Sequence, residues 1–520
     1  MSIHWAAASK ELWFRVTELD LNLARGAGPS QHLGQAAEGV SVIDAAPVNS
    51  AAARELYKKR EPIYPKLVHG RFRTLKWFLL FATLGVYYLL PWVRWPRGPG
   101  EPDQAVLVDF AGGRFYFFFI EIWPDELYYV TGLLILAAVG LFLATALFGR
   151  VWCGYACPQT VWTDLYIAAE RLIEGDRNKR MRLAKAPWNL EKVSKKSLKH
   201  AIWLAVAAAT GGAWVFYFHD APTLLPTLFT GEAPGSAYLF IGILTFTTYM
   251  LAGSMREQVC TYMCPWPRIQ AALTDEETLQ VTYKKDRGEP RGPHKKGEPW
   301  EGRGDCIDCK ACVAACPMGI DIRDGAQLEC INCALCIDAC NDIMAKIDRP
   351  KGLIAYDTDK NMVRRSQGEA PKVRLLRSRT IFYGVVFAIV SAIMLTALMT
   401  RATLEVNVLR DRTPPFVQLS DGSIRNAYTL KIVNKANVER EFVVTLSGVD
   451  RITMEAIGET VANNQLRVSV RGDDVRSTRV FATLPADAAR RASMPLTFDV
   501  RDAATGEQKE NPTVFLTERR

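Results

Sequence analysis

Five stretches of this chain run for 17 to 23 residues without a charge: Trp77 to Val93, Leu127 to Gly149, Ala201 to Phe218, Ala237 to Met255 and Thr380 to Thr400. A helix of the longest stretch reaches ~34 Å at ~1.5 Å per residue, against a hydrocarbon core of ~30 Å. All five are predicted membrane spans. Charged residues collect between them, so a chain of 520 residues with 49% hydrophobic residues and a net charge of +9 is average only in the mean. Disordered, collagen-like and purely soluble classes are excluded. Basic excess beside apolar stretches reads as membrane orientation, and nucleic acid is not expected as a partner.

Lys and Arg number eight between Arg54 and Lys76, eleven from Arg150 to Lys199 and twenty between Glu257 and Arg379, whereas Pro96 to Glu126 has two and Asp220 to Ser236 none. By the positive-inside rule the N-terminus is inside, and five spans leave the C-terminal segment outside. The start of the chain has no cleavable signal pattern, since no apolar core follows a basic start. The N-terminal arm is mixed, with a short helix expected near Ala51 to Lys59. The apolar run Phe115 to Ile120 is too short to cross and is expected to dip into the interface. Thr160 to Leu172 has the spacing of an interfacial amphipathic helix.

The predicted organisation is an α-helical membrane bundle, an inserted domain whose two C-x-x-C-x-x-C-x-x-x-C runs have the spacing of a bacterial double ferredoxin, and an all-β tail. Residues 1–75 form the arm, 76–256 a four-helix membrane region, 257–379 the ferredoxin domain, 380–401 the fifth span and 402–520 the tail. In the tail, Tyr428 to Val433, Phe442 to Leu446, Gln465 to Val470 and Thr478 to Ala482 alternate with period two. Turn signals such as Ser420-Asp421-Gly422 and Arg471-Gly472-Asp473 separate such runs. An Ig-like β-sandwich is expected.

All twelve cysteines lie between Cys153 and Cys340. Such clustering is unlike a disulfide-stapled secreted fold, and thiolate chemistry places these segments on the reducing, cytoplasmic side. Cys306, Cys309, Cys312 and Cys316 form C-x-x-C-x-x-C-x-x-x-C followed by Pro317; Cys330, Cys333, Cys336 and Cys340 repeat the spacing, with Asn341 where proline is expected. Three close sulfurs grip one cubane and the fourth turns to the other. Two 4Fe-4S clusters are therefore expected, one on Cys306, Cys309, Cys312 and Cys340, the other on Cys330, Cys333, Cys336 and Cys316. Structural zinc is the alternative, but it favours two separated pairs over a compact run of four.

The remaining cysteines follow the second and fourth spans as Cys153-Gly154-Tyr155-Ala156-Cys157-Pro158 and Cys260-Thr261-Tyr262-Met263-Cys264-Pro265. Residues four apart share a helical face, and the proline ends the helix. Packing the two spans together would gather four soft sulfur ligands suited to Cu(I) or a further iron-sulfur centre. Cys153, Cys157, Cys260 and Cys264 are thus the candidate catalytic and copper-binding residues, against the plainer reading of buried cap residues. Tyr155, Tyr262, Trp152, Trp162 and Trp266 read as interface anchors. Met255 and Met263 read as packing residues, and Asp164 and Glu257 as solvated interfacial carboxylates. The six histidines show no metal-type pairing.

Arg150 to Asp164, the second C-x-Tyr-x-C-Pro, the doubled ferredoxin run, and Ile63-Tyr64-Pro65-Lys66 with Gly70-Arg71-Phe72-Arg73 together resemble the cytochrome c oxidase accessory proteins of the CcoG/FixG/RdxA type. The likeness runs from about residue 55 to the end, including the Ig-like tail. It implies a multi-pass bacterial inner-membrane protein with two 4Fe-4S clusters and a periplasmic tail. It further implies a cupric reductase, with copper as substrate, serving cbb-type cytochrome c oxidase assembly. Implied partners are the lipid bilayer, copper chaperones or oxidase assembly factors and a cytoplasmic electron donor, and homo-oligomers are compatible with the plan. Two other readings share the span-and-ferredoxin plan: an electron relay between quinol and a partner complex, and a non-enzymatic assembly scaffold.

Overall fold

The computed structural model describes residues 41–49, 61–97, 101–295, 297–436, 438–488 and 491–517. The helix expected near Ala51 to Lys59 lies outside them. The chain forms two compact units, one drawn from Met1–Leu90, Ala137–Phe216 and Leu224–Val386, the other from Pro91–Leu136, Tyr217–Thr223 and Phe387–Arg520.

Among the described residues four helices are long and apolar enough to cross a membrane: Arg71–Trp92, Pro124–Phe148, Gly235–Met255 and Ser378–Met399. Their large side chains face outward; on Ser378–Met399, Phe382, Val385, Ile389 and Ile393 are all exposed. An apolar surface of that extent is stable only against lipid or another protein. The remaining predicted span, Ala201 to Phe218, is met by the end of a longer helix, Leu190–Val215. Lys192, Lys195, Lys196 and Lys199 occupy the head of that helix. Its apolar end, residues 201–215, covers only ~23 Å at ~1.5 Å per residue.

α1 (Arg71–Leu89) belongs to the first unit, and α2 (Tyr128–Phe148) belongs to it from Ala137 onward, followed by a short α3 (Val151–Tyr155), α4 (Pro158–Glu174) and α5 (Leu190–Val215). α6 (Gly235–Thr248) packs along α5. The close approach depends on Gly211, where a Cβ would stand 2.8 Å from the carbonyl oxygen of Ile241. α6 continues as a π-wound stretch, Tyr249–Met255, and after Arg256 a second π-wound stretch covers Val259–Met263. α7 (Trp266–Leu273) then leads into the ferredoxin segment. There α8 (Ala311–Ala315) and α9 (Leu335–Lys346) each begin within one of the two cysteine runs, beside an antiparallel pair formed by Gln280–Tyr283 and Ile354–Asp357. One apolar core holds Ile307, Ala314, Ala315, Met344, Leu353 and Ile354 together with the cysteines.

α4, expected to lie at the interface, is instead enclosed. Val161 packs with Leu80 and Leu84 of α1, and Tyr166 with Trp203 of α5 and Ala252. Only part of its outer face is free, with Leu172 exposed.

In the second unit, Phe115 to Ile120 belongs to a small antiparallel sheet of Val106–Asp109, Arg114–Phe117 and Ile120–Ile122. Tyr116 is buried while Phe117, the last residue of its strand, and Phe119, in the turn that follows, are exposed, so the run presents apolar rings outward. The tail forms two sheets from β1 (Leu404–Arg410), β2 (Val417–Gln418), β3 (Ile424–Asn434), β4 (Arg440–Ser447), β5 (Thr453–Ala456), β6 (Val461–Ala462), β7 (Gln465–Val470), β8 (Asp474–Leu484), β9 (Ser493–Asp502) and β10 (Gln508–Leu516). One sheet runs β5-β8-β3-β1 with β2 on β3, the other β6-β7-β4-β9-β10. Each predicted run falls inside a strand. Tyr428, Leu430, Phe442, Val444, Val468, Phe498 and Phe515 fill the core between the sheets.

Candidate metal centre

The two cysteine runs share one backbone path. Asp308 and Lys310 have φ of 51° and 55°, and Asn332 and Ala334 at the matching positions have 53° and 59°. These left-handed residues bracket Cys309 and Cys333, turning the loop around a hollow before α8 or α9 begins. Backbone N–H groups favour the thiolate form of several sulfurs: that of Ala311 acts on Cys309, Asn332 on Cys330, Met318 and Ile320 on Cys316, and Ile354 on Cys340. Such donors stabilise thiolate ligands and tune any cluster bound to them.

Two hollows result. Cys306, Cys309, Cys312 and Cys340 line the first, with Tyr283, Ile307 and Leu353. Cys316, Cys330, Cys333 and Cys336 line the second, with Val281, Ile320 and Ile331, and Cys312 lines both. Among the described residues no three His, Cys, Asp or Glu side chains converge closely enough to hold a single ion. Thiols standing around an apolar hollow fit a sulfide-bridged iron cluster and do not fit one tetrahedral zinc. All twelve cysteines are free of disulfides.

The membrane-side pairs are built differently from one another. Cys153 sits inside α3, which ends at Tyr155, and Cys157 is extended (φ −61°, ψ 128°) ahead of Pro158, the first residue of α4. Cys260 lies in the π-wound Val259–Met263, and Cys264 is again extended (φ −79°, ψ 123°) ahead of Pro265. A residue before proline is driven out of helical conformation, so each pair is split across a break, not stacked on one helical face. The junction between the motifs runs through α7. Trp266 stacks on Phe142 of α2 at 6.1 Å, and Gln270 accepts from Cys153 Sγ at 3.2 Å while donating to Thr145 Oγ1 at 3.4 Å.

Burial pushes the Cys153 thiol up to about 12, and the neighbouring Cys157 adds to it. Cys260 is likewise pushed up to about 12 by burial, then by Cys157, Cys153 and Cys264. The four thiols thus act on one another, and Cys153 and Cys260 hold their protons more tightly than an ordinary thiol. Cys264 is exposed and offers an approach.

The first pair abuts the second hollow. A Cβ on Gly154 would lie 2.6 Å from the carbonyl oxygen of Ile331 and 3.0 Å from Cys333 Cα, and the Tyr155 hydroxyl donates to the Cys333 carbonyl at 3.2 Å. Arg150 donates to the carbonyl oxygens of Leu328, Cys330 (3.4 Å) and Pro267 (2.7 Å), tying both motifs to one loop. On the side of the second pair, a cavity of about 30 Å³ is lined by Cys260, Glu257, Lys76 and Asp164 and by Pro317 and Met318, just past Cys316.

Several sequence expectations change here. Tyr155 is 5% exposed and is not an interface anchor. Asp164 and Glu257 are buried, not solvated. Both Asp164 oxygens accept from Arg73 at 2.9 Å, with Lys76 at 3.9 Å. Burial would raise this carboxyl, yet Lys76 and Arg73 hold it below its ordinary value. Beside it Glu170 meets Arg256 at 2.7 Å and also Arg180, and Glu174 meets Lys196 at 2.8 Å. Asp338 of α9 accepts from the N–H groups of Phe72 (3.4 Å) and Arg73 (2.8 Å), capping α1 from the ferredoxin segment. Gly154, Arg150 and Arg73 escaped the sequence reading as functional positions, although all lie in the segments that carry the family likeness.

Comparison with known proteins supplies the remaining findings. A family model described as a 4Fe-4S dicluster domain matches residues 255–359, and one described as a 4Fe-4S binding domain matches 130–179, where the cysteines are Cys153 and Cys157. A third, for the Ig-like fold at the C-terminal of FixG, matches 394–518. Nitrogen fixation protein FixG of Rhizobium meliloti is 50% identical over 476 residues, covering 86% of this chain and 91% of that protein. Proteins RdxB and RdxA of Cereibacter sphaeroides are 50% and 51% identical, over 88% and 87% of this chain and 97% and 96% of their own lengths. Among solved structures, a FixG-related protein from Vibrio parahaemolyticus aligns with 23% of this chain and 99% of its own at 20% identity and a TM-score of 0.20.

Proposed function

This chain belongs to the FixG/RdxA family of iron-sulfur electron-transfer proteins, and from that premise we propose that it reduces Cu(II) to Cu(I) in support of cbb-type cytochrome c oxidase assembly. Cys306, Cys309, Cys312 and Cys340 hold one four-iron cluster, and Cys330, Cys333, Cys336 and Cys316 the other. Bound there, the clusters supply one-electron storage. Copper is the substrate: each Cu(II) takes up one electron, and the thiols of Cys153, Cys157, Cys260 and Cys264 favour the soft Cu(I) product.

The observation that carries this reading is the contact of Gly154 and Tyr155 with Ile331 and Cys333. It leaves backbone alone between the first thiol motif and the second hollow. Tyr155 and Arg150 fix that contact, and the exposed Cys264 gives metal a way in. The charge distribution supports an inner-membrane topology with five spans, the apolar end of α5 among them, the ferredoxin segment cytoplasmic and the tail periplasmic.

The test is anaerobic reduction of the purified protein followed by Cu(II). The expected result is oxidation of the clusters with one Cu(I) formed per electron. Serine at the four membrane-side cysteines abolishes that response while about eight irons per chain remain. Reduction by quinol with no response to copper would establish the relay instead, and full clusters that exchange electrons with neither would leave the scaffold.

A further inference from the structure

The two hollows differ in the charge the chain sets beside them. Next to the first, Arg323 is 6% exposed and acts on Cys312, but it is neutralised. Its Nε and Nη2 meet Asp321 at 2.9 and 2.7 Å, and its Nη1 meets Asp308. Arg287, which acts on Cys340, shares Asp305 with Arg349. Three guanidinium groups thus face three carboxylates, and Lys310, which also lines this hollow, is part-exposed, where solvent screens its charge.

Next to the second hollow stands Arg150, 8% exposed, between Cys330 and Cys153. Among the described residues its guanidinium meets carbonyl oxygens and no carboxylate. Asp338 acts on Tyr155 from that side, and its oxygens are taken up by the N–H groups of Phe72 and Arg73. A buried cation without an anionic partner is costly, and its natural counter-charge is an anionic metal-thiolate centre.

From this asymmetry we infer that Arg150 is the positioning residue that makes the second nest the more favourable place for an added electron. The chain's own charges thereby bias the pair toward the thiol motifs. A fixed positive charge in a water-poor site stabilises the reduced, more negative state of what it faces, whereas a guanidinium already paired with carboxylates contributes little net field. The direction follows from the residues alone: an electron accepted at either nest settles at the one beside Gly154 and Tyr155. The inference rests on the four-iron reading of both nests and not on copper.

The experiment is an EPR-monitored redox titration of the full-length protein in detergent, with iron and sulfide counted for every sample. Arg150→Gln should shift the higher of the two midpoint potentials to more negative values and leave the lower one in place. Arg150→Lys, which keeps the charge with fewer hydrogen bonds, should restore most of the shift. Arg323→Gln should move the other signal. If Arg150→Gln retains full iron and neither potential moves, or if the lower-potential signal is the one that moves, the inference is overturned. A purely structural role predicts that lysine fails as glutamine does, which also overturns it. Wild-type protein with far fewer than eight irons would instead remove the four-iron reading on which it stands.

Discussion

Gly154 lies against Ile331 so closely that a single added carbon would stand 2.6 Å from that residue's carbonyl oxygen. Alanine raises helix propensity by about 1 kcal/mol over glycine, whereas overpacking costs about 1–3 kcal/mol. The obstacle is backbone, which cannot swing aside, so the collision wins. Gly154→Ala should lower the melting temperature followed by cluster absorbance and loosen iron from the second nest before the first. An unchanged or raised melting point would show that the helix end can shift.

Asp164 is the anion that Arg73 and Lys76 share in a buried setting. Removing one partner of a buried ion pair costs about 3–5 kcal/mol. Asp164→Asn should therefore sharply reduce the folded fraction recovered from membranes, measured by fluorescence-detected size exclusion. Its carboxyl is held below the usual value, so the contribution is complete above the ordinary carboxylate range and fades as pH falls through the folded-state value.

Burial, then Asp473, lifts Glu121 to about 7. Asp473 is raised as well, burial first. Between the ordinary carboxylate range and about pH 7 the folded chain keeps a proton that the unfolded chain has released, so stability declines as pH rises across that window. Glu121→Gln should flatten the dependence, read from melting curves at pH 5, 6 and 7.

Phe498 is fully buried beside Tyr428, with ring centroids 5.2 Å apart, and Tyr428 donates to the Val514 carbonyl at 2.8 Å. Truncation of a buried phenylalanine costs about 3–5 kcal/mol. Phe498→Ala should make the tail a preferred site of limited proteolysis. Tyr428→Phe, which loses one hydrogen bond worth about 1 kcal/mol, should have a smaller effect in the same assay.

Cysteine spacing and strand alternation made much of this molecule legible, because both are short-range. Two residues between sulfurs force a tight loop whatever surrounds it, and period two along Gln465–Val470 needs only a buried face. What lies across from a side chain is a different matter. Tyr155 looked like an interface residue because it follows a span, and nothing local announces that the Cys333 carbonyl waits opposite. Asp164 sits on a helix with a polar stripe, which reads as solvated until a second helix brings Arg73 to the same point. The prolines announce the helix ends at Cys157 and Cys264, but the π winding before Cys260 carries no sequence signal.

That winding has a genetic corollary. A π turn accommodates more residues than an α turn, so a one-codon deletion within Tyr249–Met255 would let the segment relax to α geometry. Because the wide turn absorbs the extra residue, that deletion would leave the bearing of Cys260 and Cys264 nearly as it is, whereas a one-codon deletion in the α-wound Tyr128–Phe148 would swing Cys153 and Cys157 round by about 100°. Two superficially duplicated motifs should therefore tolerate indels very unequally.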